Sequence, residues 1–180
     1  MRIIVTGGAG FVGTNLIKRL LSEGHEVKSL DNYSTGKKEN EQEGCTYYNL
    51  DINDKSLSFE NIDVIFHMAA LARIQPSLIN PQQTIEANVN GTLNILELAR
   101  KNNTPVIYAG SSSVHHGLYG SPYAWSKHAG EQLCKLYSDV YGLNTSICRF
   151  YNVYGPHQLE EGTYSTVLGI YERQYRNNEP

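Results

Sequence analysis

The sequence predicts an α/β fold built on a doubly wound parallel sheet, and three observations support this prediction. Short β-branched or aromatic runs alternate with helical segments along the chain. A glycine-rich turn, Gly7-x-x-Gly10-x-x-Gly13, separates the first strand from the first helix, and Asp31 closes the second strand. This alternation is typical of a parallel sheet with helices on both faces.

The individual elements follow from the spacing of apolar residues. Six short apolar runs predict strands over 3–5, 26–30, 47–50, 64–68, 106–109 and 145–150. Helical periodicity predicts helices over 11–21, 81–102, 122–141 and 167–176. Pro81 suits a first helical turn, because proline has no N–H group to lose there.

Bulk composition excludes several classes of protein. The chain has 180 residues, which is enough for one domain with its own core. Its net charge of −3 and the lack of a Lys/Arg run argue against a nucleic-acid or membrane surface. No apolar stretch approaches the roughly 20 residues that span a bilayer. Three cysteines without a C-x-x-C pair indicate reduced thiols in a cytoplasmic protein, not a disulfide framework or a metal site.

The glycine turn indicates a dinucleotide site and therefore a Rossmann fold. A pyrophosphate needs bare backbone N–H groups and a helix N-terminus directed at it, and side chains at Gly7 or Gly10 would block that approach. Gly13 allows close packing of helix on strand. Asp31 is placed to accept both adenosine ribose hydroxyls and to repel a 2′-phosphate, which favours NAD over NADP. Lys37 and Lys38 keep NADP open as an alternative.

Tyr123 and Lys127 stand four residues apart, and so share one face of the predicted helix. A free tyrosine is a poor base at neutral pH, but a neighbouring ammonium and a positively charged nicotinamide stabilise its phenolate. Lys127 is also placed to hold the nicotinamide ribose. Ser112, after the fifth strand, is expected to donate a hydrogen bond to the same substrate oxygen. We therefore predict Ser112, Tyr123 and Lys127 as the catalytic group.

With these motifs in order, the sequence resembles the extended short-chain dehydrogenase/reductase family, in particular its nucleotide-sugar epimerases and dehydratases. The resemblance covers nearly the whole chain and is carried by TGGAGFVG (6–13), LDN (30–32), DI (51–52), HMAA (67–70), NVNGT (88–92), SSSV (111–114), SPYAWSK (121–127) and RFYNVYGP (149–156). Within the family it is most similar to UDP-glucose/UDP-galactose 4-epimerases.

The resemblance implies further site residues. NAD would contact, besides the three catalytic residues, a set spread over the chain: Gly7, Gly10, Phe11, Val12, Gly13, Asp31, Asn32, Asp51, Ile52, Met68, Ala69, Ala70, Ala87 and Tyr151. Ser112, Tyr123 and Asn152 would contact a nucleotide sugar, most simply a UDP-sugar. The resemblance also implies a homodimer formed by the helices at 82–102 and 122–141, where Leu93, Leu96, Leu133 and Leu136 are either interface or core residues.

Several activities of the family remain open. Dehydratases carry an Asp-Glu pair after the catalytic Ser/Thr, and decarboxylases a glutamate, whereas Ser113 and Val114 stand there in this chain. A 4-epimerase needs only the serine, tyrosine and lysine, and is the best fit. A 4-keto-sugar reductase and a non-catalytic NAD(P)-binding protein are the alternatives; the second is disfavoured because Tyr123 and Lys127 are both present.

Two further features concern the substrate side of the site. His115-His116-Gly117 stands where the family usually has Val-Tyr-Gly, and the loop from Gly117 to Tyr123 is shorter than is usual in the family. We interpret the histidines as a solvated pair, since a metal site wants a third ligand. The chain ends at Pro180 directly after a helix, which we interpret as a truncation. We expect residues 1–180 to form the NAD-binding domain, with the substrate-binding region starting at about 156, to bind NAD weakly, and to lack most of a smaller C-terminal substrate domain.

Overall fold

The computed structural model describes residues 1–115 and 117–179. The strands in these ranges are β1 (Arg2–Thr6), β2 (Glu26–Asp31), β3 (Cys45–Asn49), β4 (Val64–His67), β5 (Val106–Ser111) and β6 (Thr145–Phe150). The α-helices are α1 (Phe11–Ser22), α2 (Ile74–Ile79), α3 (Pro81–Ile85), α4 (Gly91–Asn102), α5 (Pro122–Tyr141) and α6 (Val167–Asn177). Short 3₁₀ turns cover Lys38–Asn40 and Ser112–His115.

All of these strands join one parallel sheet in the order β3-β2-β1-β4-β5-β6. The chain therefore moves outward from β1 in one direction, returns, and continues from β4 in the other direction. The reversal opens a crevice between the carboxyl ends of β1 and β4, which is where open α/β sheets bind ligands. The predicted doubly wound sheet is confirmed.

The centre of the sheet is buried on both faces, and neighbouring residues of a strand point to opposite sides. On β1, Ile4 belongs to a core that includes Ile65, Leu96 and Tyr108. Ile3 and Val5 belong to a second core formed with α1. The two cores fix the carboxyl ends of the strands, and hence the loops that follow them.

The helix predicted over 81–102 is one helical run with an altered centre. α3 leads through a π-helical turn, Glu86–Asn90, directly into α4. The extra residue in a π turn re-aims side chains and is often found at functional sites. The short helix α2 was not predicted, because six residues are too few to show a clear period.

α5 matches its predicted range and has clear end signals. The Ser121 hydroxyl accepts a hydrogen bond from the Ala124 N–H over 3.1 Å, and Pro122 occupies the first turn. Gly142 ends the helix with a φ of +68°. None of the helices in the described ranges combines the length and the apolar character that a membrane span requires.

Candidate active site

The glycine turn after β1 is held by close backbone packing. Gly7 has a φ of +69°, and a Cβ there would lie 2.8 Å from the Ala69 Cα. A Cβ on Gly13 would lie 2.1 Å from the Gly7 carbonyl oxygen. Gly10 forms the N-cap of α1, and no side chain caps that end. The turn thus presents bare backbone at a helix N-terminus, as an anionic group requires.

Asp31 fastens this turn to the end of β2. Its buried carboxylate accepts hydrogen bonds from the Ala9 N–H over 2.9 Å and from the Tyr33 N–H over 2.8 Å. The Asn40 side chain donates to the Ala9 carbonyl oxygen over 2.9 Å. The carboxylate is therefore fixed in place and still lines the cavity described below.

Asn32 and Asp51 are joined across the ends of β2 and β3. The Asn32 amide donates to the Asp51 carboxylate over 2.8 Å, and the Asn53 N–H donates to the other oxygen, also over 2.8 Å. Partial burial opposes ionisation of Asp51, but these hydrogen bonds hold its pKa below the ordinary value. This end of the cavity carries two aspartates, Asp31 and Asp51.

Tyr123 lies at the other end, opposite the last residue of β5. Its hydroxyl donates to the Ser111 Oγ over 3.2 Å, and the Ser113 N–H donates to the same oxygen over 3.2 Å. A serine hydroxyl has two acceptor sites and one donor. With both acceptor sites engaged, the Ser111 O–H is left to donate to a group in the cavity.

The end of β5 decides which serine faces Tyr123. β5 continues two residues further than predicted, because Gly110 and Ser111 pair with Arg149 and Phe150 of β6. Ser111 is consequently the strand residue that meets Tyr123, whereas Ser112 begins a 3₁₀ turn and does not line the cavity. The catalytic role of Ser112 stays a prediction; the contacts place Ser111 next to the Tyr123 hydroxyl.

Lys127 lies one helical turn after Tyr123 and is 4% exposed. Its ammonium sits 4.4 Å from the centre of the Tyr108 ring. Burial lowers the pKa of Lys127 to about 8, although the negative charges of Cys134 and Glu131, when ionised, oppose that shift. Burial, together with the Lys127 charge, also lowers the pKa of His67 to about 3, so this histidine is neutral at physiological pH.

A buried network of hydrogen bonds links α5 to the π turn and to the segment after β4. The Asn88 side chain, in the π turn, accepts from the Leu71 N–H over 2.8 Å and donates to the Ser126 hydroxyl over 3.0 Å. Ser126 donates in turn to the Tyr123 carbonyl oxygen over 2.9 Å. The Tyr123 N–H donates to the Ser77 hydroxyl over 3.2 Å. The π turn thus couples the loop after β4 to the backbone of Tyr123.

These groups surround one cavity of about 790 Å³ that follows the carboxyl ends of the strands. Its volume lies within the range of small-molecule and cofactor sites. Every predicted contact residue except Ser112 lines it: Gly7, Gly10, Phe11, Val12, Gly13, Asp31, Asn32, Asp51, Ile52, Met68, Ala69, Ala70, Ala87, Tyr123, Lys127, Tyr151 and Asn152. One cavity therefore joins the glycine turn to Tyr123 and Ser111.

The model of the NAD dependent epimerase/dehydratase family matches residues 3–180. The chain belongs to this family. It is 34% identical to a putative UDP-glucose 4-epimerase of Methanocaldococcus jannaschii, and the match covers 99% of this chain and 64% of that protein. It is also 34% identical to a UDP-N-acetyl-alpha-D-glucosaminuronate decarboxylase of Bacillus cytotoxicus, over 93% of this chain and 59% of that protein.

Solved structures of epimerases have the same fold. The UDP-glucose 4-epimerase of Thermotoga maritima with UDP-glucose superimposes with a TM-score of 0.92 at 29% identity, covering 99% of this chain and 64% of that one. The Thermus thermophilus UDP-glucose 4-epimerase in complex with NAD gives 0.88 at 32% identity, covering all of this chain and 64% of that one. The chain thus spans about 64% of the length of these relatives.

Part of the cavity lining was not predicted from the sequence. The unpredicted lining lies at or near the carboxyl ends of β2, β3, β5 and β6, in the loops after β2, β4 and β6, and at the start of α6: Leu30, Ser34, Thr35, Leu50, Leu71, Ala72, Arg73, Ala109, Gly110, Ser111, Phe150, Val153, Leu159, Tyr164, Ser165, Thr166, Val167 and Leu168. Position after a strand would have indicated Leu50 and Leu71. Nothing local indicates 159–168, which tertiary packing brings to the cavity.

Two neighbouring histidines, His115 and His116, follow β5 in the sequence. His115 is exposed at the end of its 3₁₀ turn, and His116 lies outside the described residues. Across residues 1–115 and 117–179, no group of three or more His, Cys, Asp or Glu side chains is placed to hold a metal ion.

Proposed function

We propose that the full-length protein is an NAD-dependent 4-epimerase of nucleotide sugars, with UDP-sugars as its substrates. The observation that carries this proposal is the contact between Tyr123 and Ser111, made in the same cavity as the glycine turn and next to Lys127. This arrangement offers a proton carrier, a hydrogen-bond donor and a buried cation around one reacting oxygen.

The residues present fit NAD. The bare turn at Gly7 and Gly10 leaves room for a pyrophosphate at the start of α1, where added Cβ atoms would crowd the backbone. Asp31 would accept from the adenosine ribose hydroxyls, and its charge would repel a 2′-phosphate. Titration with NAD and NADP tests this choice, and tighter binding of NADP would contradict it.

In the proposed reaction, Tyr123 as phenolate accepts the proton of the sugar 4-hydroxyl, and the buried ammonium of Lys127 stabilises that phenolate. Bound NAD supplies the hydride acceptor for carbon 4 and later the hydride donor. The Ser111 O–H donates to the oxygen that becomes the 4-keto group. After the sugar turns in the cavity, Tyr123 returns the proton to the oxygen of the epimeric alcohol.

The positions after Ser111 favour this reaction over elimination of water. Loss of water needs a further acid and base beside the sugar. Ser112 and Ser113 follow Ser111, and neither carries a carboxylate. Two similar proteins are named as UDP-glucose 4-epimerases, the putative enzyme of M. jannaschii and the enzyme of T. maritima. This similarity also supports epimerisation over elimination of water.

Incubation of the full-length protein with UDP-galactose or UDP-N-acetylgalactosamine tests the proposal. NMR should show the C4 epimer without net consumption of NAD. Stoichiometric oxidation of NADPH with a 4-keto sugar would instead indicate a reductase, and loss of water a dehydratase. No exchange at C4 with any UDP-, GDP- or CDP-sugar would refute the epimerase proposal.

We also propose a cytoplasmic homodimer that uses the outer faces of α4 and α5. Leu93 and Leu136 are 40% and 50% exposed, and Val140 is 61% exposed. Leu96 is fully buried and Leu133 packs against the core, so these two leucines are core residues. The cytoplasmic location is proposed because the chain has three free thiols, which suit a reducing compartment: Cys45, Cys134 and Cys148. Light scattering should give twice the chain mass, and a monomer would contradict the proposal.

A further inference from the structure

Arg73 is a cation in the cavity with no acidic partner. It is the last residue of the loop between β4 and α2 and lines the cavity. The other charged residues of the lining are one cation, Lys127, and two acids, Asp31 and Asp51. Among residues 1–115 and 117–179, no carboxylate lies within 4.0 Å of the Arg73 guanidinium. Its Nε donates to the Tyr164 carbonyl oxygen over 3.0 Å.

Hydrogen bonds leave much of this guanidinium available. Nη1 donates to the Ala72 carbonyl oxygen over 3.3 Å. A guanidinium has five N–H donors in a planar fork, so three remain after these two bonds. An arginine that is fixed through its Nε and keeps free N–H groups suits the planar recognition of a carboxylate or a phosphate.

Arg73 lies in a segment that is held against the helix of Tyr123. Leu71, two residues before it, is held by Asn88, and Ser77, four residues after it, accepts from the Tyr123 N–H. The loop that carries Arg73 is thus fastened to the helix of Tyr123 on both sides. The two aspartates lie at the opposite end, near the glycine turn.

We infer that Arg73 binds a negatively charged group of the nucleotide-sugar substrate. This inference rests on the proposed function, and it names the chemistry that the substrate must carry: an anionic oxygen close to the reacting sugar. Two sources are possible, a phosphate of the nucleotide or a carboxylate on the sugar. The bare turn at Gly7 and Gly10 already provides for the phosphates of NAD, so Arg73 is not needed for them.

The test measures binding to the NAD-loaded full-length protein by calorimetry. Arg73→Gln removes the charge, and Arg73→Lys keeps it without the fork. The control, Arg19→Gln, removes an arginine from the outer face of α1, where it pairs with Glu23. The probes are UDP-glucose, UDP-glucuronate, UDP and the uncharged nucleoside uridine.

A phosphate contact predicts that Arg73→Gln weakens both UDP-sugars and UDP by about 10- to 100-fold, but not uridine. A sugar carboxylate contact predicts the same loss for UDP-glucuronate alone. In both cases Arg73→Lys should bind with intermediate affinity, and Arg19→Gln like the wild type.

Unchanged binding of all probes by Arg73→Gln would overturn the inference. An equal loss for uridine would also overturn it, because it would indicate a structural role through Tyr164. The readout is binding, so it stays separate from turnover. A protein that binds these probes as predicted but shows no exchange at C4 would refute the epimerase proposal and leave the role of Arg73 intact.

Discussion

The Tyr123 hydroxyl donates to the Ser111 Oγ over 3.2 Å, across the gap between α5 and the last residue of β5. Ser112, its neighbour, does not line the cavity. The two serines therefore form a matched pair of variants that differ by one position. We expect Ser111→Ala to lower kcat by about 100- to 1,000-fold, which is the usual cost of losing one donor to a developing oxyanion.

Ser112→Ala is the control for this prediction. It should retain wild-type kcat within about two-fold, because a residue outside the contact carries no transition-state interaction. Steady-state epimerisation of the full-length variants measures both values. A large loss in Ser112→Ala with an active Ser111→Ala would reverse the assignment.

Tyr123→Phe should separate cofactor binding from catalysis. The phenyl ring keeps the shape of the side chain but cannot carry the proton, so kcat should fall by about 100- to 10,000-fold. NAD affinity should stay within a few-fold of wild type, since the glycine turn and Asp31 are untouched. Calorimetry with NAD and NMR turnover of the same preparation measure the two effects. Unchanged turnover would remove Tyr123 from the mechanism.

How much of the site the sequence could show depends on the range of the interactions involved. The glycine turn and Asp31 belong to one βαβ unit, so a local pattern was enough to place both. The contact between Ser111 and Tyr123 could not be predicted, because the end of β5 is set by pairing with Phe150, almost forty positions along the chain. Arg73 meets the Tyr164 carbonyl only through tertiary folding. No spacing rule predicts such a contact.

The glycine turn gives a pair of variants with different expected effects. A methyl group on Gly13 would collide with the Gly7 carbonyl at 2.1 Å, whereas on Gly10 its nearest neighbour would be that same oxygen at 3.2 Å. Gly13→Ala should therefore destabilise the fold by about 3 kcal/mol, as a severe overpacking does. Gly10→Ala should cost about 1 kcal/mol or less and act mainly on NAD affinity, because Gly10 lines the cavity.

Urea unfolding and NAD titration of these two variants check the prediction. Gly10→Ala should retain a denaturation midpoint close to wild type and bind NAD at least about ten-fold more weakly, which corresponds to 1.4 kcal/mol. Equal stability of Gly13→Ala and the wild type would show that the turn can relax away from the contact.

The buried Lys127 predicts how stability depends on pH. An unfolded lysine has a pKa of about 10.4, whereas burial lowers the pKa of Lys127 in the fold to about 8. Below pH 8 both states carry the ammonium, and the fold bears the full cost of burying it. Between the two pKa values only the unfolded state keeps the proton, so unfolding takes up a proton and stability rises with pH.

Comparison with Lys127→Met isolates the contribution of Lys127 to the free energy of unfolding. Thiols and phenols also titrate in this pH range, but they do so in both proteins, and their effect cancels in the difference. Between pH 7 and pH 10 the wild type should gain about 2 to 3 kcal/mol in free energy of unfolding relative to Lys127→Met. Lys135→Met, at an exposed position of α5, is the control and should show no such pH-dependent difference. Urea unfolding without NAD measures all three proteins. A difference between the wild type and Lys127→Met that stays constant with pH would mean that Lys127 keeps an ordinary pKa, and that its ammonium is better solvated in the cavity than its burial indicates.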